Sequence, residues 1–188
     1  MLAGGGSRRM GRDKLSLEVD GVSLIERVHD ALCGPCQDVL EVGGARLQGA
    51  RHVGDERPGG QGPLAGIEAG LAAARYPLAF VAAGDMPFLT EGVVGYFLER
   101  LETSGFLAVV PRYHGGSHPL CAAYARALLP QVGAALDRGT RAVHEFLEGI
   151  TEVEYVGEEL LRFGNPDLLL MNVNSPDDLE RARREAGR

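Results

Sequence analysis

The first stretch able to do chemistry is Gly4-Gly5-Gly6-Ser7-Arg8-Arg9-Met10-Gly11-Arg12-Asp13-Lys14. Glycines permit close backbone approach and positive φ, so successive N–H groups can turn toward phosphate oxygens while Arg8, Arg9, Arg12 and Lys14 add positive charge. The run predicts a phosphate-cradling loop, with a plain surface loop as the alternative. Two common phosphate loops do not fit. Gly6 and Gly11 have P-loop spacing, but Arg12-Asp13 stands where Lys-Ser/Thr is required, and Arg9 occupies the third glycine position of the dinucleotide fingerprint. Lys14 is notable for another reason: of the 19 basic residues, 18 are arginine. A lone lysine marks a place suited to a compact point charge on a flexible stem rather than a planar fork.

Aspartates supply the complementary charge. Asp85 directly follows the apolar run Leu78 to Ala83, and a carboxylate at a strand's carboxyl end can hold a divalent ion that also bridges phosphate oxygens. Capping of the Asp85-Met86-Pro87 turn is the competing role, and Asp55 after a shorter run invites the same two readings. Gly62-Pro63-Leu64-Ala65-Gly66 reads as a helix start whose small residues would let an anion lie against unpaired N–H groups. Asn172 and Asn174, two of only three asparagines, are spaced so that both amides project to one side of an extended segment; Asx-turn chemistry before Pro176 is the alternative. His118-Pro119 reads as an ordinary start to a strand, and His114 as an exposed loop residue.

Cys33-Gly34-Pro35-Cys36 has thioredoxin-like spacing, but it follows a helix rather than opening one, and a helix C-terminus disfavours thiolate. With only Cys121 and His29 to add, a zinc set is incomplete as well. The thiols are expected to be structural.

These groups need a scaffold, and the sequence supplies an alternating one. The chain has 188 residues, 45% apolar and 24% charged, with net charge −7, which excludes a disordered or collagen-like chain and argues against non-specific nucleic-acid binding. No apolar run reaches the roughly 18 to 20 residues of a membrane span, and the N-terminus lacks a signal-peptide core, so a cytoplasmic protein is expected. Helices are predicted over Ser23 to Leu32, Pro63 to Arg75, a segment capped by Thr90, Ala125 to Leu136 with a break or kink at Pro130, Arg141 to Leu147, and from Ser175-Pro176 to Glu185. Strands are predicted over Val39 to Val42, Arg51 to Gly54, Leu78 to Ala83, Phe106 to Val110, His118 to Tyr124, Thr151 to Val156 and Leu168 to Val173. Such alternation implies an α/β fold with a mostly parallel sheet covered on both faces and a ligand cleft at the strands' carboxyl ends. No internal repeat or long linker divides the chain, so one domain over residues 1–188 is expected.

Taken together, these segments resemble the molybdenum cofactor guanylyltransferases. The likeness rests on Leu2-Ala3-Gly4-Gly5 through Arg8-Arg9-Met10-Gly11 and Asp13-Lys14, Gly62-Pro63-Leu64-Ala65-Gly66, Asp85-Met86-Pro87-Phe88-Leu89, His118-Pro119-Leu120 and Asn172-Val173-Asn174-Ser175-Pro176, in that order along nearly the whole chain. The resemblance implies a three-layer Rossmann-like nucleotide-diphospho-sugar transferase fold, with a mixed sheet in which one late strand runs antiparallel. It implies transfer of GMP from GTP to the terminal phosphate of molybdopterin with release of pyrophosphate, assisted by Mg²⁺. By the same resemblance Leu2, Ala3, Gly4 and Asp55 would contact the nucleotide, Lys14 and Arg9 would serve its phosphates, Asp85 would bind Mg²⁺ and nucleotide, and Asn172 and Asn174 would face the pterin. Transient contact with proteins that deliver or accept the cofactor is also implied, with no nucleic-acid or membrane partner. The family's asparagine after the second strand is replaced by Gly43-Gly44-Ala45, and its apolar strand before Leu2 is represented by Met1 alone, from which an upstream start is expected. Rival readings are a cytidylyltransferase acting on the same pterin and a nucleotide-binding module without turnover.

Overall fold

A computed structural model describes residues 1–4, 14–44, 46–54, 57 and 62–187. A short hairpin, β1 (Glu18–Val19) and β2 (Val22–Ser23), leads into helix α1 (Leu24–Cys33). Ser23 and Glu26 form a reciprocal capping box, which satisfies two orphan N–H groups and starts α1 at Leu24. Strands β3 (Leu40–Val42) and β4 (Arg51–Val53) pair in parallel, and helix α2 (Pro63–Ala73) follows. Next come β5 (Leu78–Ala82), α3 (Glu91–Ser104, capped by Thr90), β6 (Ala108–Tyr113), β7 (Gly116–Ser117) and β8 (Cys121–Ala125). The chain ends with α4 (Leu129–Asp137), α5 (Val143–Glu148), β9 (Val153–Val156), α6 (Pro166–Leu169) and α7 (Pro176–Ala186).

In the larger sheet β8 lies antiparallel between β5 and β6, while β9 runs parallel to β6, so β8 is the single reversed strand of the row β5-β8-β6-β9. Leu2 joins this sheet to the β3–β4 pair through parallel bridges to Val42 on one side and Ala83 on the other. It is a one-residue link between two well-laddered parts. Below it, a cavity of about 400 Å³ runs between β3 and β5, lined by Met1, Leu32, Leu40, Ile67, Leu71 and Phe80.

Alternation along the strands divides the core. Phe80, Ala82, Val109 and Ala123 face α1 and α3, meeting Val28, Leu32, Val94 and Phe97. Val81, Ala108, Val110, Ala122 and Tyr124 face the opposite layer, meeting Leu64, Ile67, Val132 and Phe146 of α2, α4 and α5. The result is the expected three-layer α/β arrangement of the nucleotide-diphospho-sugar transferase type. No helix among the described residues is long and apolar enough to cross a membrane.

Three expectations need correction. Leu168 to Val173 is not a strand: Asn165 caps Asp167, Pro166 opens α6, and the chain then runs extended and without a ladder partner through Asn174. A short apolar run carries no period that separates buried strand from buried helix, and the Asn-Pro start decides it. The segment Ala125 to Leu136 is not one helix, because Ala125 ends β8, Arg126–Leu128 is 3-10, and Pro130 lies in the first turn of α4, where its missing N–H costs no hydrogen bond. Finally, β8 begins at Cys121 rather than His118, since Cys121 N–H turns back to His118 O at 3.0 Å.

Candidate active site

At the sheet's carboxyl edge, Asp85 follows β5 by three residues. Gly84 eases that position: a Cβ there would lie 3.2 Å from both Leu2 O and Leu15 Cδ2, so the chain crosses the Leu2 segment closely and a side chain would have to push its neighbours aside. Val173 N–H donates to Asp85 O at 2.9 Å and thereby fastens the extended Met171–Asn174 segment beside it. The carboxylate's two oxygens are divided between partners. Lys14 Nζ donates to Oδ2 at 2.5 Å, and Asn172 Nδ2 donates to Oδ1 at 2.6 Å. Lys14 also donates to Asn174 Oδ1 at 2.8 Å. Four residues singled out in the sequence, from three distant segments, thus form one hydrogen-bonded cluster.

The ion pair is only partly open, with side-chain exposures of 14% for Lys14 and 15% for Asp85. Partial desolvation strengthens its attraction relative to a surface pair, and the 3-10 turn Lys14–Ser16 fixes the base of the lysine stem. On the far side, Asp178 accepts from the Ser175 hydroxyl and from the N–H groups of Asn174 and Ser175, which holds its carboxyl below the usual carboxylate range, with Lys14 adding to the effect. This capping box starts α7 and sets the backbone that presents Asn174.

Leu2, Ala3 and Gly4 lie between β3 and β5, as the predicted nucleotide-contacting loop requires, but their N–H groups are already engaged. Leu2 N–H donates to Ala82 O, and those of Ala3 and Gly4 both donate to Val42 O. Among the described residues no backbone N–H reaches the Ala3 and Gly4 carbonyls, which leaves these as acceptors. Two other predicted site residues, Arg9 and Asp55, lie outside the described residues, as does the Gly5–Asp13 part of the loop.

Beside Asp85 opens a cleft of about 440 Å³ lined by Gly62, Pro63, Met86, His118, Arg141 and Asn172. Of the Gly62 to Gly66 helix start, Gly62 and Pro63 line this cleft, while Leu64 and Ala65 are buried. Arg141 and His118 were not picked out in the sequence as site residues; only the packing of α5 against the His118–Leu120 turn brings them here. Burial pushes the His118 pKa down, so its ring is neutral near pH 7 and offers one donor and one acceptor. Arg141 is anchored by hydrogen bonds to Leu136 O and Thr140 O at the end of α4.

Cys33 and Cys36 stay apart from this site, Cys121 is buried in the wall of the cleft, and all three are free. Burial, then Asp30 and Glu91, push the Cys33 thiol up, and burial raises Cys36 to about 11, both against the low-pKa thiolate a redox centre needs.

A mixed sheet sandwiched between helices, with a lysine and an aspartate joined at its carboxyl edge, is the arrangement of a nucleotidyltransferase. The comparisons agree. Residues 1–155 match the MobA-like NTP transferase domain. A molybdenum cofactor guanylyltransferase of Desulfosudis oleivorans is 35% identical, covering 100% of this chain and 96% of its own length. Its counterpart in Pseudomonas putida is 33% identical over 96% and 94% of the two chains. In three dimensions, molybdopterin-guanine dinucleotide biosynthesis protein A of Archaeoglobus fulgidus superposes with TM-score 0.84 and 31% identity over 99% of this chain and 96% of that one. The 2-C-methyl-D-erythritol 4-phosphate cytidylyltransferase of Thermus thermophilus, TM-score 0.72 at 22% identity, shares the fold. The chain belongs to the molybdenum cofactor guanylyltransferase family.

Proposed function

We infer that the protein transfers GMP from GTP to the terminal phosphate of molybdopterin, acting in the cytoplasm. The observation that carries this reading is the Lys14–Asp85–Asn172–Asn174 cluster, set between the acceptor carbonyls of Ala3 and Gly4 and the cleft under His118. A pterin phosphate oxygen attacks the α-phosphorus of GTP. A new P–O bond forms as the bond to the bridging oxygen breaks, and pyrophosphate departs with the electron pair. A phosphate nucleophile is already anionic, so no general base is required and rate comes from positioning and charge neutralisation.

Lys14 is the residue placed to move in this reaction. Its ammonium sits on Asp85 and Asn174, and a triphosphate offers it a denser negative charge on a flexible stem's reach. Asp85 suits a phosphate-bridged Mg²⁺: each carboxylate oxygen has lone pairs beyond its one present donor, and Mg²⁺ is commonly held by one or two carboxylates together with substrate oxygens and waters. Among the described residues no cluster of three or more His, Cys, Asp or Glu exists to hold a metal without substrate. When bound, the ion would add Lewis-acid neutralisation of the leaving pyrophosphate. Asn172, Asn174, neutral His118 and Arg141 provide the mixed donors and acceptors that a pterin and its phosphate need.

The test is incubation with molybdopterin, Mg²⁺ and each nucleoside triphosphate in turn, followed by mass identification of the product. A guanine dinucleotide formed from GTP alone is the expected result, and a cytosine dinucleotide or no transfer overturns the reading.

A further inference from the structure

Glu41 is the one charged residue in the described core, with 0% exposure, in a strand whose other side chains are apolar. Its Oε2 meets His52 Nδ1 at 2.9 Å across the parallel pair of β3 and β4. The other oxygen, Oε1, is buried and has no hydrogen-bond partner among the described residues. A buried acceptor left unpaired is costly and rare in a native fold, so this oxygen lacks a donor that some other state provides.

Its location says which state. A Cβ on Gly44 would fall 2.3 Å from Oε1, 2.5 Å from Ala3 Cβ and 3.2 Å from Ala3 O. The carboxylate thus fills the volume a side chain at position 44 would take, where the Gly43–Gly44 turn crosses Ala3 and Gly4. Gly43 sits at φ 79°, and with two glycines in succession this turn is the part of the wall best able to shift. Behind it, Oε1 and Ala3 O both lie within 3.2 Å of the point a Gly44 Cβ would occupy, two acceptors facing the same small volume.

We propose that Glu41 is the guanine-selecting residue of the site: on binding, the Gly43–Gly44 turn gives way and Oε1 accepts from N1–H and the 2-amino group of the base. This rests on the guanylyl-transfer reading above. Guanine carries those two donors side by side, which a carboxylate matches. Adenine and cytosine place a ring-nitrogen acceptor beside their amino group, and uracil flanks its N–H with two carbonyls, so each would set an acceptor against the buried oxygen. His52 holds the carboxylate from behind and leaves Oε1 for the base.

Equilibrium titration of wild type, Glu41→Gln and Gly44→Ala with GTP, inosine triphosphate, xanthosine triphosphate and CTP, with Mg²⁺ and without pterin, tests this. Wild type is expected to bind GTP about tenfold tighter than the inosine nucleotide, which lacks the 2-amino group, and about a hundredfold tighter than the xanthosine nucleotide. In Glu41→Gln the amide offers a donor to the 2-oxo group of xanthine, so the GTP-to-xanthosine preference should collapse or invert. Gly44→Ala, whose methyl displaces the carboxylate, should lose the preference for GTP over the inosine nucleotide without gaining xanthosine binding. Ratios unchanged in both variants, or an equal loss for every nucleotide, overturn the proposal. A wild type that favours CTP or binds no triphosphate overturns the guanylyl-transfer reading instead.

Discussion

Asp85 and Glu41 flank the Leu2–Gly4 segment, one just after β5 and the other within β3, and their environments differ in every respect that matters to a carboxylate. Asp85 is partly open, has a cation on one oxygen and an amide on the other, and borders a cleft. Glu41 is closed off, has an imidazole on one oxygen and nothing on the other, and lies under two glycines. A carboxylate with exchangeable donors at a cleft mouth suits ions that arrive and leave with substrate. One that is buried and under-donated suits a fixed recognition event, because its unmet demand rewards a particular donor pattern and penalises others. On the proposed reading, that difference gives the phosphates to the Asp85 side and the base to the Glu41 side.

Removing Lys14 should have the largest effect on that division. Lys14→Ala is expected to lower turnover about a hundredfold, roughly 2.7 kcal/mol of barrier, because the compact charge that follows the phosphates is gone. Thermal stability should barely change, since a partly open ion pair contributes about 1 kcal/mol or less. Lys14→Arg should remain impaired, as a planar fork does not fit where one ammonium meets Asp85 and Asn174. Steady-state rates alongside thermal melts check this. A melting temperature that drops in step with activity would place Lys14 in the scaffold and erase the contrast with Glu41.

Asp85→Asn comes next. It keeps shape and removes charge, so turnover should fall at least roughly tenfold, about 1.4 kcal/mol, with a weakened dependence on Mg²⁺. Asn can still accept from Lys14 and cap the turn, so a variant with normal rates across a Mg²⁺ titration would reduce Asp85 to a turn residue.

Much of this comparison was legible in the sequence, but unevenly. Asp85 stood out because it follows a strand, whose end a parallel α/β sheet brings to the cleft edge, whereas Lys14, Asn172 and Asn174 stood out by rarity and spacing alone. The lysine–aspartate contact itself was not written in any local pattern; it follows from Gly84 allowing the backbone crossing. Glu41 was visible as a charge inside an apolar run, yet its meaning depends on Ala3 and Gly44, which are neighbours only in three dimensions. The apolar run at residues 168–173 misled for the opposite reason. Its burial was real, with Leu169, Leu170, Met171 and Val173 all in the core, but burial was provided by a short helix and an unpaired segment instead of a strand. The β8 boundary slipped because His118 turns before the ladder begins.

The smallest and most discriminating effect is expected from replacing Asn172 and Asn174 together by alanine. Each amide touches the Lys14–Asp85 pair, and Asn172 also lines the cleft where a pterin would lie. Once a triphosphate takes up Lys14, the hydrogen bond that its ammonium donates to Asn174 Oδ1 is no longer needed, and Asp85 keeps its charge with or without Asn172. GTP affinity should therefore stay within about threefold of wild type, while molybdopterin affinity falls about tenfold for the loss of two amide contacts worth on the order of 0.5 to 1.5 kcal/mol each. The backbone N–H groups that hold Asp178 are untouched, so α7 should keep its cap, and any stability loss should stay near 1 kcal/mol. Calorimetric titration with each ligand separately decides the matter. Equal falls in both affinities would mean that the asparagines act through Asp85 and belong to the phosphate end; an unchanged pterin affinity would mean that the acceptor lies elsewhere in the cleft, nearer His118 and Arg141.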